Sequence, residues 1–290
     1  MNSKTEIRFL VVSDIHDNIQ NVRKLVDWYQ KEKPKIDYIL CCGDIVTVPN
    51  DRQDEPEQAK IYEPIIVNIF QELEKICSQI LYVPGNHEPY TLYQKDPPFL
   101  TKGSINLHKK YIKLSDDLYM VGIGGSTPIL QGGPYEIGQV PYHDVDLKKV
   151  KYAGYPYNVK SDDNYLKSDL NFVNDLKEAV EQVKKEGGDN VNMILLSHIG
   201  PLYTWTNVMT LNGENLYLGS EQLGQWFFYE KGCFLDIHGH THTARGVINI
   251  TDKKIVMNPG DLTSGNYGMA VVKKDQNNEW VLESTSLNLV

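Results

Sequence analysis

At 290 residues, with 41% apolar and 23% charged side chains, the chain has an ordinary globular composition, which excludes a disordered, collagenous or coiled-coil protein. A formal net charge of -9 is the wrong sign for a surface that follows phosphate backbones, so no extended nucleic-acid partner is expected. The arginines are only Arg8, Arg23, Arg52 and Arg245, so bidentate phosphate clamps are scarce and a bound phosphate needs another cation, which points to metal.

Residues 1–6 are short and polar before the first strand, so no signal peptide is expected. Residues 7–13 (IRFLVVS) form a β-branched run of the kind that fills a strand buried on both faces, and 21–33 carry Val22, Leu25, Val26 and Tyr29 at helical spacing. A strand over 36–42, a helix over 57–78 with Ile61, Ile65, Ile69, Leu73 and Ile76 on one face, and a strand over 79–83 complete a βαβαβ half with right-handed crossovers. The second half repeats the rhythm more loosely. Strands are expected at 118–123, 191–197 and 234–238, with helices at 168–186 and 221–229. The strands 246–250 and 254–257, joined by a turn at 251–253, and then 268–272 and 280–287 close the chain.

No low-complexity linker or repeat divides the sequence, so residues 1–290 are expected to form a single domain. Three loops, 45–55, 124–165 and 200–219, are too long for plain connections and are expected near the functional site. The middle loop is rich in Tyr, Gly and Pro, and aromatic packing rather than regular hydrogen bonding is expected to order it. Cys41, Cys42, Cys77 and Cys233 show no CxxC spacing and read as buried free thiols of a reducing compartment, hence a cytoplasmic protein. No stretch approaches the roughly 18 apolar residues a membrane span needs, so no membrane partner is expected.

The polar residues with chemistry fall just past strand ends: Asp14 and His16 (SDIHDN), Gly43-Asp44, Gly85-Asn86-His87-Glu88, Ser197-His198 and Gly239-His240-Thr241-His242. In open α/β sheets the crevice at those ends is where ligands bind, so five segments converge on one place. Taken singly, Asp14 or Asp44 reads as a cap or turn former and His240 or His242 as a loop histidine. Together, Asp, His and Asn make a mixed hard and borderline donor set suited to divalent transition metals. Seven ligands exceed what one ion takes, and two cations sharing a carboxylate account for the count.

This set, Asp14-x-His16, Gly43-Asp44, Gly85-Asn86-His87-Glu88, Ser197-His198 and Gly239-His240-x-His242, resembles the calcineurin-like metallophosphoesterase superfamily, with all five blocks in family order. Residues 122–128 (GIGGSTP) and 258–260 (NPG) also resemble segments of its small single-domain hydrolases. The resemblance implies an α/β fold, a four-layer αββα sandwich of two mixed β-sheets packed face to face and flanked by helices. It further implies that Asp14, His16 and His242 bind one divalent metal ion (Mn, Fe or Zn), that Asn86, His198 and His240 bind a second, and that Asp44 bridges them. A metal-bridging hydroxide would attack phosphorus, and His87 would act as general acid, unless it is only a loop histidine held by nearby backbone.

The stretches after Asp44 and His87 lack the arginines of the superfamily's protein serine/threonine phosphatases. The expected substrate is therefore a phosphodiester or small phosphorylated metabolite, with a diverged protein phosphatase, a silent protein-binding scaffold or a single-metal protein as alternatives. No motif names a protein partner. Asp17 stands where many relatives have glycine, and either tunes the first metal, contacts substrate or is a solvated turn residue. His238 reads as a core histidine or one that supports the ligands, His108 and His143 as surface residues, and Arg245 as reaching a phosphate or solvating a strand. Tyr152, Tyr155, Tyr157, Tyr203 and Trp205 either line a nucleobase pocket or pack the loops.

Overall fold

The computed structural model describes residues 4–48, 55–94, 97–127, 129–131, 150–152, 165–202, 204–211 and 214–290. The first half runs β1 (Glu6–Val12), α1 (Ile19–Glu32), β2 (Tyr38–Cys41), α2 (Glu55–Glu74), β3 (Ile80–Tyr82), β4 (Ser104–Asn106), β5 (Lys110–Ser115), β6 (Leu118–Ile123), β7 (Ile129–Gln131) and β8 (Val150–Tyr152). It continues through α3 (Tyr165–Gly187), β9 (Asn192–Ser197), β10 (Val208–Leu211), β11 (Glu214–Tyr217), α4 (Glu221–Tyr229), β12 (Cys233–Ile237), β13 (Gly246–Thr251), β14 (Lys254–Asn258), β15 (Asn266–Lys274) and β16 (Trp280–Leu289).

One six-stranded sheet has the order β16-β15-β1-β2-β3-β4 and a second has β13-β14-β12-β9-β6-β5. In the first, β1 to β4 are parallel and β15 joins β1 antiparallel; in the second, β14, β12, β9 and β6 are parallel and the edges β13 and β5 are antiparallel. Both sheets are thus mixed, as expected.

Alternation along β1 shows why its run has no polar face. Leu10 and Val12 pack towards α1 and α2, against Val22, Leu25, Ile69 and Phe70. Phe9 and Val11 point the other way, into the layer between the sheets, where they meet side chains such as Met120, Leu196 and Leu235. A third layer joins Tyr119, Val121, Met193 and Leu195 to Phe172, Leu176 and Val180 of α3 and to Leu223 and Phe227 of α4. Three apolar layers between four structural layers make the αββα sandwich, with two sheets in the middle and helices outside.

The predicted long elements stand within a few residues of their expected ends, and the loops differ. Segment 200–219 contains the hairpin β10–β11, which joins β7 and β8 in a four-stranded sheet of order β10-β11-β7-β8. Where it is described, the 124–165 segment therefore carries regular ladder hydrogen bonds, contrary to the expectation of aromatic packing alone. The edge strand β5 carries Lys110 and Lys113 among Tyr111, Ile112 and Leu114 without a period of two, which hides it among loops. All four cysteines are free, and no described helix is long and apolar enough to cross a membrane.

His108 is not at the surface. It is buried, and its Nδ1 accepts the Gly124 N–H at 3.0 Å. Burial, with the charge of Lys109 next, pushes its pKa down to about 3. A folded pKa below the unfolded value of 6.5 means that His108 contributes no penalty above pH 6.5 and draws stability away as pH falls from 6.5 towards 3. Denaturant midpoints should therefore decline across that window, with a slope of up to about 1.4 kcal/mol per pH unit from this group. His108→Gln, which keeps an acceptor and cannot titrate, should flatten the decline; an unchanged slope would refute the assignment.

Candidate metal centre

The functional side chains sit on turns that leave the parallel strands of both sheets. Asp14, His16, Asp17, Asp44 and His240 have positive φ (51°, 46°, 63°, 51° and 65°), five of the eight such non-glycine residues among those described. Backbone in this region is costly for L-residues and persists where surrounding structure enforces it, typically at functional sites. Here the turns knit to one another: Asp14 N donates to the Gly43 carbonyl at 2.9 Å, Ile15 N and His16 N to the Asp44 carbonyl at 2.7 and 3.0 Å, and Gly239 N to the His198 carbonyl at 3.0 Å. Gly85 is required by closeness, since a Cβ there would overlap Asp44 Oδ1 and the His198 ring.

Two clusters result, Asp14 with His16 and His242, and Asp44 with His198 and His240, each with donor atoms within 4.8 Å of one another. His16 Nε2 faces His242 Nε2 at 3.1 Å, and His242 Nε2 lies 3.3 Å from Asp14 Oδ1. His198 donates its Nδ1–H to the Cys42 carbonyl at 2.7 Å, leaving Nε2 to face Asn86 Oδ1 at 2.9 Å and Asp44 Oδ2 at 3.4 Å. Asp44 Oδ2 is also 3.9 Å from His16 Nε2, so this carboxylate reaches towards both clusters. All seven expected ligands are brought together.

His87 stands beside them, its ring edge-on to His16 with centroids 5.4 Å apart. Its backbone N–H donates to Asp44 Oδ1 at 2.8 Å, and its Nδ1–H donates to the Val48 carbonyl at 3.3 Å, so that Nε2 takes part in neither contact.

The electrostatics show two charge-paired sets under low hydration. Burial raises the Asp44 carboxyl, and the charge and hydrogen bond of His198 overcome this and hold it well below the usual carboxylate range. Against burial, which lowers it, the Asp44 partner pushes His198 up to about 9. Asp14 is likewise lowered, burial being outweighed by the His242 and His198 imidazoles. Burial, with the His198 charge next, drives His240 down to about 3, so this imidazole is neutral at physiological pH and available as a ligand.

The donor set fits divalent cations. His240 Nε2 is buried with no hydrogen-bond partner, and two imidazole nitrogens face each other beside a carboxylate, an arrangement that a cation between them resolves.

A family model described as calcineurin-like phosphoesterase matches residues 7–244. The chain belongs to the calcineurin-like phosphoesterase family. Members of this family usually bind two divalent metals, in keeping with the two clusters. No curated protein matches the chain. Among solved structures, a protein of Thermus thermophilus is similar at 15% identity and a TM-score of 0.52, covering 97% of this chain and 99% of its own. The NAD nucleotidase of Haemophilus influenzae is similar at 13% identity and a TM-score of 0.54 over 98% of this chain, which spans 50% of that protein. The phosphopantetheinyl hydrolase of Mycobacterium tuberculosis is similar at 12% identity and a TM-score of 0.53, covering 89% of this chain and 91% of its own. These likenesses show that the calcineurin-like fold is shared.

Several functional contacts had no sequence signal of their own. The buried Glu88 carboxylate accepts the N–H groups of Asp44 (3.1 Å), Ile45, Val46 (3.3 Å) and Gly85, tying the turn that bears Asp44 to the turn that bears Asn86. Burial, and next the Asp44 charge, push its carboxyl up to about 8 despite those donors. His238 is a fully buried supporting residue, its Nε2 2.9 Å from Thr206 Oγ1 and its Nδ1 donating to the Gly239 carbonyl at 3.0 Å. Arg245 donates through Nη2 to the Asn288 carbonyl at 3.0 Å on the last strand. Trp205 is 77% exposed, while His143, Tyr155, Tyr157 and Tyr203 lie outside the described residues, as does the side chain of Tyr152.

Proposed function

We propose that this chain, acting as one metallophosphoesterase domain, hydrolyses phosphodiesters or small phosphorylated metabolites with two divalent cations. In this reading Asp14, His16 and His242 hold one ion, Asn86, His198 and His240 hold the other, and Asp44 lies between them. The observation that carries it is the position of Asp44 Oδ2, 3.4 Å from His198 Nε2 and 3.9 Å from His16 Nε2, between two clusters of neutralisable donors. The cations, when bound, supply the charge that neutralises phosphate oxygens and makes a water acidic enough to attack.

The remaining work falls to the chain. The Cys42 carbonyl fixes the His198 tautomer by accepting from Nδ1, and the Val48 carbonyl does the same for His87. His87 Nε2, the ring nitrogen opposite the one held by the Val48 carbonyl, is the atom that delivers a proton to the departing alkoxide. No arginine follows Asp44 or His87, which favours a substrate held by metals and imidazoles over a guanidinium-clamped phosphoprotein. The names of two of the solved neighbours, a NAD nucleotidase and a phosphopantetheinyl hydrolase, support a small phosphorylated substrate.

The deciding assay follows bis-p-nitrophenyl phosphate and p-nitrophenyl phosphate with metal-stripped protein before and after manganese is restored. Turnover should need the metal, and His87→Ala should slow it by about 10²–10⁴-fold, the usual share of a general acid, at unchanged metal content. Two bound ions with no turnover of either ester, or of a panel of natural diesters, would overturn the enzyme reading in favour of a scaffold.

A further inference from the structure

The turn that follows β9 brings a buried hydroxyl up to the histidine-bearing turn after β12. Thr206, 1% exposed, places Oγ1 2.9 Å from His238 Nε2, and the other ring nitrogen, Nδ1, lies 3.0 Å from the Gly239 carbonyl. Gly200 backs the ring so closely that a Cβ there would overlap Cδ2 and Nε2. Asn258 ties the same two segments again, its Nδ2 donating to the carbonyls of Thr206 at 3.1 Å and Thr241 at 3.0 Å.

Counting protons gives the side-chain contacts a direction. A carbonyl only accepts, so His238 Nδ1 carries the imidazole proton. The ring is fully buried and both nitrogens face uncharged oxygens, which keeps it neutral, so Nε2 accepts the Thr206 hydroxyl proton. The Thr204 hydroxyl then donates to Thr206 Oγ1 at 2.7 Å. The Pro201 carbonyl, 3.0 Å from Thr204 Oγ1, receives Asn207 Nδ2 at 2.9 Å instead.

What these contacts hold is one peptide unit. The Gly239 carbonyl and the His240 N–H belong to the same planar group, so fixing one fixes the other. The carbonyl accepts His238 Nδ1–H and the Thr241 N–H, the latter at 2.7 Å, and the His240 N–H donates to Asp14 Oδ2 at 2.9 Å. Asp14 Oδ1 is thereby left facing His242 Nε2 at 3.3 Å. The same peptide plane sets the left-handed φ of His240, 65°, a value that neighbours must enforce. Asp14 belongs to one donor cluster and His240 to the other, so a single peptide serves both.

We propose that Thr206 and His238 are positioning residues of the metal centre, which lock the Gly239–His240 peptide and through it orient the Asp14 carboxylate and the His240 imidazole together. This rests on the metal-centre reading above and deepens it. Neither residue touches an ion. Supporting partners of this kind typically contribute 10–100-fold in metal affinity.

The test is calorimetric titration of metal-free wild type, Thr206→Val, Thr206→Ala and Thr206→Ser with Mn²⁺, in competition with a chelator. Circular dichroism and the melting curve of each metal-free protein report on the fold. Wild type should bind two ions. Thr206→Val keeps the shape without the hydroxyl and should weaken the binding of both ions by about 10–100-fold. Thr206→Ser and Thr206→Ala both lose the methyl group and differ only in the hydroxyl. Serine should bind as wild type does, and alanine should weaken binding as valine does, which keeps the proposal testable if the valine variant does not fold.

Wild-type affinity for both ions in a folded valine or alanine variant would overturn the proposal. Weakening as large in Thr206→Ser as in Thr206→Ala would also overturn it, because the hydroxyl would then not be the cause. Loss confined to one ion would refute the shared peptide, and unfolding of both hydroxyl-free variants would assign the hydroxyl to the fold alone. If wild type itself binds fewer than two ions, the metal-centre reading fails first, and this proposal falls with it.

Discussion

Asp44→Asn is expected to reduce metal-dependent phosphoester hydrolysis by about a thousand-fold or more, well beyond the about 10–100-fold typical of a residue that only supports a ligand. The reason is its position. Asp44 is 1% exposed, and its Oδ2 faces His198 Nε2 and His16 Nε2 at 3.4 and 3.9 Å, so one neutralising change is felt by both clusters. The amide occupies the same space, and its Oδ1 can still accept the His87 N–H, so the turn should survive. What is lost is the negative charge that opposes burial and balances the imidazoles around it. Metal analysis should show fewer than two ions per chain, and circular dichroism should show the wild-type fold. Full activity in Asp44→Asn would remove Asp44 from the centre and with it the argument for a shared carboxylate.

Glu88→Ala is expected to lower the stability of the metal-free protein by about 4 kcal/mol, taking about 1 kcal/mol for each backbone N–H left without an acceptor. Those donors belong to Asp44, Ile45, Val46 and Gly85, and the carboxylate that receives them is fully buried. For domains whose total stability is about 5–15 kcal/mol, such a loss is a large fraction. Urea denaturation measures it directly. Glu88→Gln keeps the volume and one acceptor and should cost less. Because the clasp joins the turn of Asp44 to the turn of Asn86, metal binding should weaken in the folded fraction of either variant. A denaturation midpoint within about 0.5 kcal/mol of wild type for Glu88→Ala would show that solvent or rearranged backbone satisfies those donors.

Much of the molecule is legible in the order of its residues. β1, β2, β6, β9 and β12 are read from short apolar runs because strands covered on both faces need no polar side, and α1, α2 and α3 from apolar spacing near 3.6. The positions of Asp14, Asp44, Asn86, His198 and His240 follow, because in parallel sheets the strand ends share one edge and side chains just beyond them meet. In these parts local pattern and global arrangement coincide.

They part company where the partner is backbone or lies far away in sequence. β4 and the hairpin β10–β11 are too short or too polar for periodicity to reveal, and they exist because neighbouring strands offer unpaired ladders. His108 looks like any loop histidine until Gly124 closes over it. The tie from Cys42 to His198 spans 156 residues and ends on a carbonyl, which every residue possesses. The Glu88 clasp is of the same kind. Residue types and their spacing record which side chains can do chemistry and which faces must be buried, and those suffice for the sandwich and its metal-binding edge. Which loop closes on which, and so which nitrogen of each histidine keeps its lone pair, arises from hydrogen bonds between distant turns, whose donors and acceptors are largely backbone and carry no signature in the residue names.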